Sequence, residues 1–271
     1  MKRSVFFVSD GTAITAETLG HSLLTQFRGI TFAEARLPFV DNAEKAEQAK
    51  TRIDRAADND QATPLVFSTI VDPQLVAILH QSRGKVMDLF GLFLDPLEGV
   101  LGVGRSPRVG RAHGIGNAAR YEHRIEATNY ALAHDDGVKV DFEQAEVILI
   151  GVSRSGKTPT CLYLALHFGV NAANYPFTED DLAHDTLPEF LRRHRPKLYG
   201  LTIDPARLAQ IREMRRPHSR YASLAQCRRE VKAAEVLFKR ENIPMLNTTH
   251  TSIEEIASRI LQDLGLEKRF F

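Results

Sequence analysis

This sequence of 271 residues contains no tryptophan, four methionines and only two cysteines. So few cysteines cannot build the disulfide framework of a small secreted domain. Cys161 falls inside an apolar stretch, PTCLYLALHF, where a thiol is most simply a core side chain. Together with Cys227 it fits a reducing compartment, so a cytoplasmic protein is expected. An excess of one charge is also missing. The 35 Lys and Arg against 34 Asp and Glu leave +1, which excludes a global electrostatic pull toward nucleic acid or an anionic membrane. No apolar run approaches the length of a membrane-spanning helix. The opening MKRSVFFVSDG carries too short an apolar stretch for a signal-peptide core, and an acid follows at once. Internal repeats and low-complexity tracts are absent. What remains is an ordinary globular balance, 43% hydrophobic and 25% charged, with chain enough for one large or two ordinary α/β domains.

What is present is more specific. Residues 151–158 read GVSRSGKT and fit G-x-x-x-x-G-K-[ST]. The spacing has a physical reason. Gly151 and Gly156 let the backbone through Val152, Ser153, Arg154 and Ser155 curl, so that its amides point inward at phosphate oxygens. Lys157 places a compact cation on the outermost phosphates, and Thr158 offers a hydroxyl to Mg²⁺. A helix starting there adds the positive end of its dipole. The flanks agree. AEVILI before the octet suits a short buried strand, and the apolar stretch after it suits a helix with Pro159 tolerated in its first turn. A Gly/Ser-rich turn that binds nothing is the competing reading, and the strand–loop–helix context argues against it.

The rest of the chain alternates. Strands are expected at 4–8, 32–40, 63–71 and 85–89. Helices are expected after SDG, with Leu19, Leu23, Leu24 and Phe27 at helical spacing, at 42–57, and after Asp72-Pro73. This predicts an N-terminal parallel α/β domain over 1–100. The stretch 95–116 is rich in Gly, Pro and Arg without a clear period and reads as the crossing to a P-loop kinase-like α/β domain over 101–271. There we expect helices at 120–134, 159–168, 224–240 and 253–264, the last capped by Thr251 or Ser252. Strands are expected at 145–150, 197–203 and 244–247, with a basic helix after Asp204-Pro205.

Other groups compete for chemical roles. Asp135 and Asp136 precede the octet's strand, and a carboxylate near the outermost phosphate accepts a hydroxyl proton or holds Mg²⁺. The sequence HDDG also simply closes a helix, and spacing alone leaves both readings open. Asp204 ends an apolar strand, where a Walker-B carboxylate would sit; a helix N-cap is the favoured reading. Arg207, Arg212, Arg215, Arg216 and Arg220 suit phosphate clamps, but a solvated helical face accounts for most of them, leaving one or two to touch ligand. Ser9 to Thr18, with Gly11, Thr12 and Thr15, has the look of an anion site, although an N-capped helix is simpler. Arg105, Arg108 and Arg111 divide evenly between contacting a phosphorylated partner and keeping a loop soluble. His134 alone indicates nothing.

Five stretches carry a family resemblance: VSDGTAITAETLG, HRIEATNYALAHDDG, GVSRSGKTPTCLYLALHFGVNAANYPF, GLTIDPARLAQIR and SRYASLAQCRREV. Together they resemble the bacterial phosphoenolpyruvate synthase regulatory protein family, related to the pyruvate, phosphate dikinase regulatory proteins. SRYASL and ANYPF lean toward the synthase branch. The resemblance implies an ADP-dependent serine/threonine protein kinase that inactivates phosphoenolpyruvate synthase by phosphorylating a threonine. It also implies a pyrophosphorylase that removes the phosphate with inorganic phosphate, releasing pyrophosphate. Carried over, Gly151 to Thr158 match the ADP-binding loop and Asp135 the acid/base position; Mg²⁺ is expected through Thr158. A homodimer, which would help grip a large target, is left open. The alternatives are pyruvate, phosphate dikinase as the target, a small-molecule P-loop kinase, and a nucleotide-sensing module that acts by binding alone.

Overall fold

The computed structural model describes residues 2–104, 118–135, 142–184 and 186–266. The chain divides into two compact units, Met1–Gly116 and Asn117–Phe271, each with its own four-stranded parallel sheet.

The first unit runs β1 (Lys2–Val8), α1 (Ile14–Leu24), β2 (Thr31–Leu37), α2 (Ala43–Asp60), β3 (Leu65–Ser68), α3 (Pro73–His80), β4 (Lys85–Asp88) and α4 (Leu89–Leu101). Its strand order is β2-β1-β3-β4. Local chemistry sets several helix starts. Asn42 accepts from the Lys45 amide at 3.0 Å and Asp72 from the Gln74 amide at 2.8 Å, each satisfying an amide that the helix itself cannot. One core packs Val8, Ile53 and Leu79; the other sheet face packs Val5, Phe7, Leu24 and Phe67.

Two expectations need correction here. The α1 helix has no side-chain cap: Ala13, at φ 63°, holds the N-cap position. The stretch from 95 onward does not begin as an irregular crossing, because α4 continues through Pro96 to Leu101. Its start is capped by Asp88, which accepts from the Gly91 amide at 3.0 Å. The last turns of this helix carry Pro96 and Gly99, residues that punctuate loops more often than helices, and so read as part of a crossing. Arg105, Arg108 and Arg111 lie outside the described residues.

The second unit runs α5 (Ala118–Ala133), β5 (Val147–Gly151), α6 (Lys157–Phe168), β6 (Ala172–Pro176), α7 (Glu179–Ala183), α8 (Glu189–Arg192), β7 (Leu198–Thr202), α9 (Pro205–Arg215), α10 (Leu224–Arg240), β8 (Met245–Asn247) and α11 (Ile253–Asp263). Strand order is β6-β5-β7-β8. Every residue of β5 is buried, as a central parallel strand requires. Val147 and Leu149 pack with Leu164, Tyr199 and Ile260; Ile148 and Ile150 pack on the other face with Leu208, Val231 and Phe238. Ser252, not Thr251, caps α11, in a reciprocal box with Glu255. Strand β6 was not anticipated, because AANYP has no β-branched residue and ends in proline. It exists through pairing with β5, from Val147↔Ala172 to Gly151↔Pro176. From β5 the chain goes to β6 on one side and then returns to β7 on the other. The order reverses at the C-terminal end of β5, where open α/β sheets bind ligands.

Candidate active site

The octet occupies that reversal point. Gly151 closes β5 at φ 146°, and a Cβ there would lie 2.3 Å from the Leu201 carbonyl oxygen on β7, so only glycine lets the strand lie this close. The loop then turns through Arg154 at φ 74° and Gly156 at φ 92°. Gly156 is the N-cap of α6 and supplies no side-chain cap. The first amides of this helix therefore have no carbonyl of their own and lie available to an anion. Ser155 Oγ is buried without a hydrogen-bond partner among the described residues. Lys157 is 5% exposed, and its Nζ donates to the Gly151 and Val152 carbonyls at 3.2 and 2.8 Å. The ammonium is thus folded over its own loop.

Asp135, just beyond the end of α5, meets this loop. Its Oδ1 accepts a 2.6 Å hydrogen bond from Thr158 Oγ1 and another from Asn174 Nδ2. Both bonds end on the same oxygen, and Oδ2 accepts from no described residue. Asn174, on β6, is 1% exposed, and its Oδ1 has no partner among the described residues. Thr158 gives its proton to Asp135 and accepts a long 3.4 Å bond from Asn174 Nδ2, which leaves one lone pair for a cation. Thr158 and Asp135 form an oxygen set that suits a hard ion such as Mg²⁺.

The other candidates sort differently. Asp204 caps α9, accepting from the Ala206 and Arg207 amides at 2.9 and 3.0 Å, so the carboxylate beside Thr158 is Asp135. His134 bonds the Tyr130 carbonyl at 2.7 Å and stacks on its ring, a structural role. Asp136 lies outside the described residues. Both cysteines are buried, and burial pushes each thiol's pKa up, as inert core residues require.

The arginines divide. Arg207 bonds Gln210, and Arg220 pairs with Glu179. Arg212, expected on a solvated face, has no exposed surface at all. Its Nη2 donates to Glu230 Oε2 at 2.7 Å and to the Ser153 carbonyl at 3.1 Å. Its Nη1 donates to the Tyr221 carbonyl at 3.1 Å, and its guanidinium lies 4.1 Å from the Tyr221 ring centroid. The Tyr221 hydroxyl is 3.0 Å from Ser153 Oγ. The third residue of the octet is therefore held by both its backbone and its side chain.

These groups surround a cavity of about 670 Å³, within the range of small-molecule sites. From the octet, Ser153, Arg154, Gly156, Lys157 and Thr158 line it; Gly151, Val152 and Ser155 are not in its lining. Asp135, Asn174, Tyr221, Arg215 and Arg216 complete most of the wall. Among the described residues four cations and one carboxylate line it, a field suited to an anionic ligand. Asn174 and Tyr221 lie in the stretches ANYPF and SRYASL, where neither spacing nor composition marks them as site residues. Arg212 carried a signal that was passed over: it falls four residues after the buried Leu208, on the same helical face.

The fold and loop define a class, a parallel α/β protein with a G-x-x-x-x-G-K-[ST] loop between strand and helix where the strand order reverses. More narrowly, the chain belongs to the kinase/pyrophosphorylase family, whose model matches residues 5–261, and so to a family of phosphotransferases. It is 56% identical over 269 residues to a protein of Stenotrophomonas maltophilia (strain R551-3), covering 99% of this chain and 98% of that one. It is 54% identical to a protein of Xanthomonas oryzae pv. oryzae (strain MAFF 311018) over the same shares. Both relatives carry the name "putative phosphoenolpyruvate synthase regulatory protein". The resemblance carried by the five stretches thus extends over nearly the whole chain. Among the described residues, no helix is long and apolar enough to cross a membrane.

Proposed function

We propose that this protein regulates phosphoenolpyruvate synthase by two phosphoryl transfers run in one cavity. In the first, ADP is the donor and a threonine of the synthase the acceptor, which inactivates the synthase. In the second, inorganic phosphate removes that phosphate and pyrophosphate leaves. The observation that carries this reading is the hydrogen bond from Thr158 to Asp135, which sets a carboxylate at the mouth of the phosphate loop. The family description supports a kinase paired with a pyrophosphorylase, and the names of the relatives support phosphoenolpyruvate synthase as the target.

The loop amides and Lys157 bind the diphosphate, whose outermost phosphorus is β in ADP. Asp135 Oδ2, which bonds no described residue, accepts the threonine proton as Oγ attacks that phosphorus. The bond between the β-phosphorus and its bridging oxygen breaks, and AMP leaves with the electron pair. In the second transfer, hydrogen phosphate takes the place of the AMP phosphate and attacks phosphothreonine. The phosphorus–threonine bond breaks, and the proton of the hydrogen phosphate ends on the threonine oxygen. Thr158 and Asp135 would hold Mg²⁺, which supplies charge neutralisation on the diphosphate. The buried thiols of Cys161 and Cys227 suit a cytoplasmic setting.

Incubation with phosphoenolpyruvate synthase and ADP, followed by phosphosite mapping, tests the reading. Phosphothreonine and AMP are expected, and later addition of phosphate should release pyrophosphate. An unmodified synthase would point to control by binding alone. Phosphate found only on small acceptors would point to a metabolite kinase.

A further inference from the structure

We infer that Arg215 and Arg216 are catalytic residues that neutralise the phosphoryl group in transit, and that buried Arg212 is the positioning residue that holds them at the phosphate loop. The inference rests on the two-transfer reading above for the identity of the reacting group.

Three observations lead here. First, Arg212 and Arg215 stand at i and i+3 on α9, and Arg216 is the residue that directly follows the helix. Second, the first of them is locked to the loop. Its guanidinium bonds the Ser153 carbonyl at 3.1 Å and Glu230 at 2.7 Å, entirely out of water. A buried ion pair is a poor source of stability, because desolvating both charges offsets their attraction. What the pair does supply is geometry: α9 is registered against the octet through an atom of the octet itself. Third, the next two arginines line the same cavity as Lys157, and their guanidinium groups bond no described residue. Cations in a last helical turn also complement the helix dipole. That effect does not require them to face a cavity that already holds a lysine.

The chemistry needs such groups. A phosphoryl group in transit spreads its charge over three equatorial oxygens between the entering and leaving atoms. Lys157 is one point charge at one side. Planar guanidinium forks suit phosphate oxygens, and from α9 they would act on the same phosphorus in both directions. The bonds made and broken are those given above; the arginines transfer no proton and only offset charge.

Arg215→Ala, Arg216→Ala and the double variant should fold normally, because both side chains are exposed. The double variant should lose about 10³-fold in kcat in both directions, the scale of a removed arginine finger. Its Kd for ADP should stay within roughly threefold of wild type, since a transition-state contact leaves ground-state binding alone. Arg212→Lys keeps the charge but not the fork. Its kcat loss should largely disappear in the double-variant background, whereas a merely structural role would add in full. A second measurement needs no target protein. AMP with aluminium fluoride, a mimic of the phosphoryl group in transit, should bind wild type more tightly than AMP alone, and the double variant should lose that gain. Turnover within about threefold of wild type, or an ADP affinity that falls in step with kcat, overturns the proposal. So does the absence of any fluoride gain in wild type, or its persistence in the double variant. An arginine-dependent gain in a protein that phosphorylates no threonine would instead sink the two-transfer reading and leave the arginines in place.

Discussion

Thr158 Oγ1 and Asp135 Oδ1 lie 2.6 Å apart although 23 positions separate them in the chain. The bond joins the end of α5 to the first turn of α6, and Asn174 from β6 closes on the same oxygen. Three segments thus converge on one carboxylate oxygen, and its twin bonds no described residue.

Asp135→Asn tests that twin. The variant retains a hydrogen-bonding side chain of the same size but loses the base. Turnover should fall about 10²- to 10⁴-fold, the usual scale of general acid–base catalysis, while calorimetric ADP affinity changes little. Lost ADP binding with turnover preserved would take Asp135 out of the acid/base role.

Lys157→Ala should cripple phosphorylation and phosphate removal together, because the second unit carries one such loop for both. The two assays are run side by side on the same preparation. Normal phosphate removal with phosphorylation abolished would show that the two reactions use different sites.

Two glycine variants should separate packing from backbone strain. Gly156→Ala adds a Cβ that meets nothing within 4 Å, so only its φ of 92° opposes the change, about 1–3 kcal/mol. Gly151→Ala meets the Leu201 carbonyl at 2.3 Å as well and should cost more. Denaturant unfolding ranks the two; equal losses would mean that β5 and β7 can separate without penalty.

In the first unit, burial raises the Asp10 carboxyl above its ordinary 3.8, outweighing the hydrogen bond it accepts from the Val71 amide. A folded pKa above the unfolded one means that the fold prefers the neutral form. The stabilising contribution is complete below the unfolded value and is lost as pH rises through the folded value. Asp10→Asn, which can still accept from Val71, should therefore raise stability at neutral pH and flatten its dependence on pH just above 3.8. A destabilised variant at neutral pH would show that the charged form is the one the fold uses.

The parts of this protein visible in its sequence are those whose cause is local. The buried run of β5, the glycines of the octet and the Asp72 and Asp204 caps depend on neighbours a few residues away. Composition and spacing therefore predicted parallel α/β sheets, with the octet set between a strand and a helix. Other features escaped because their cause is distant. AANYP becomes a strand only because β5 offers it a ladder, and that strand alone brings Asn174 to Asp135. Arg212 looked like one of five surface arginines, yet Ser153, Tyr221 and Glu230 surround it at full burial. Spacing left Asp135 balanced between a helix end and a functional group, and only the return of β5 and α6 past the end of α5 sets it against Thr158. Periodicity and turn chemistry act through adjacent residues and can be read from the chain. The partners of a buried charge are chosen by which strands lie side by side, and that follows from long-range packing.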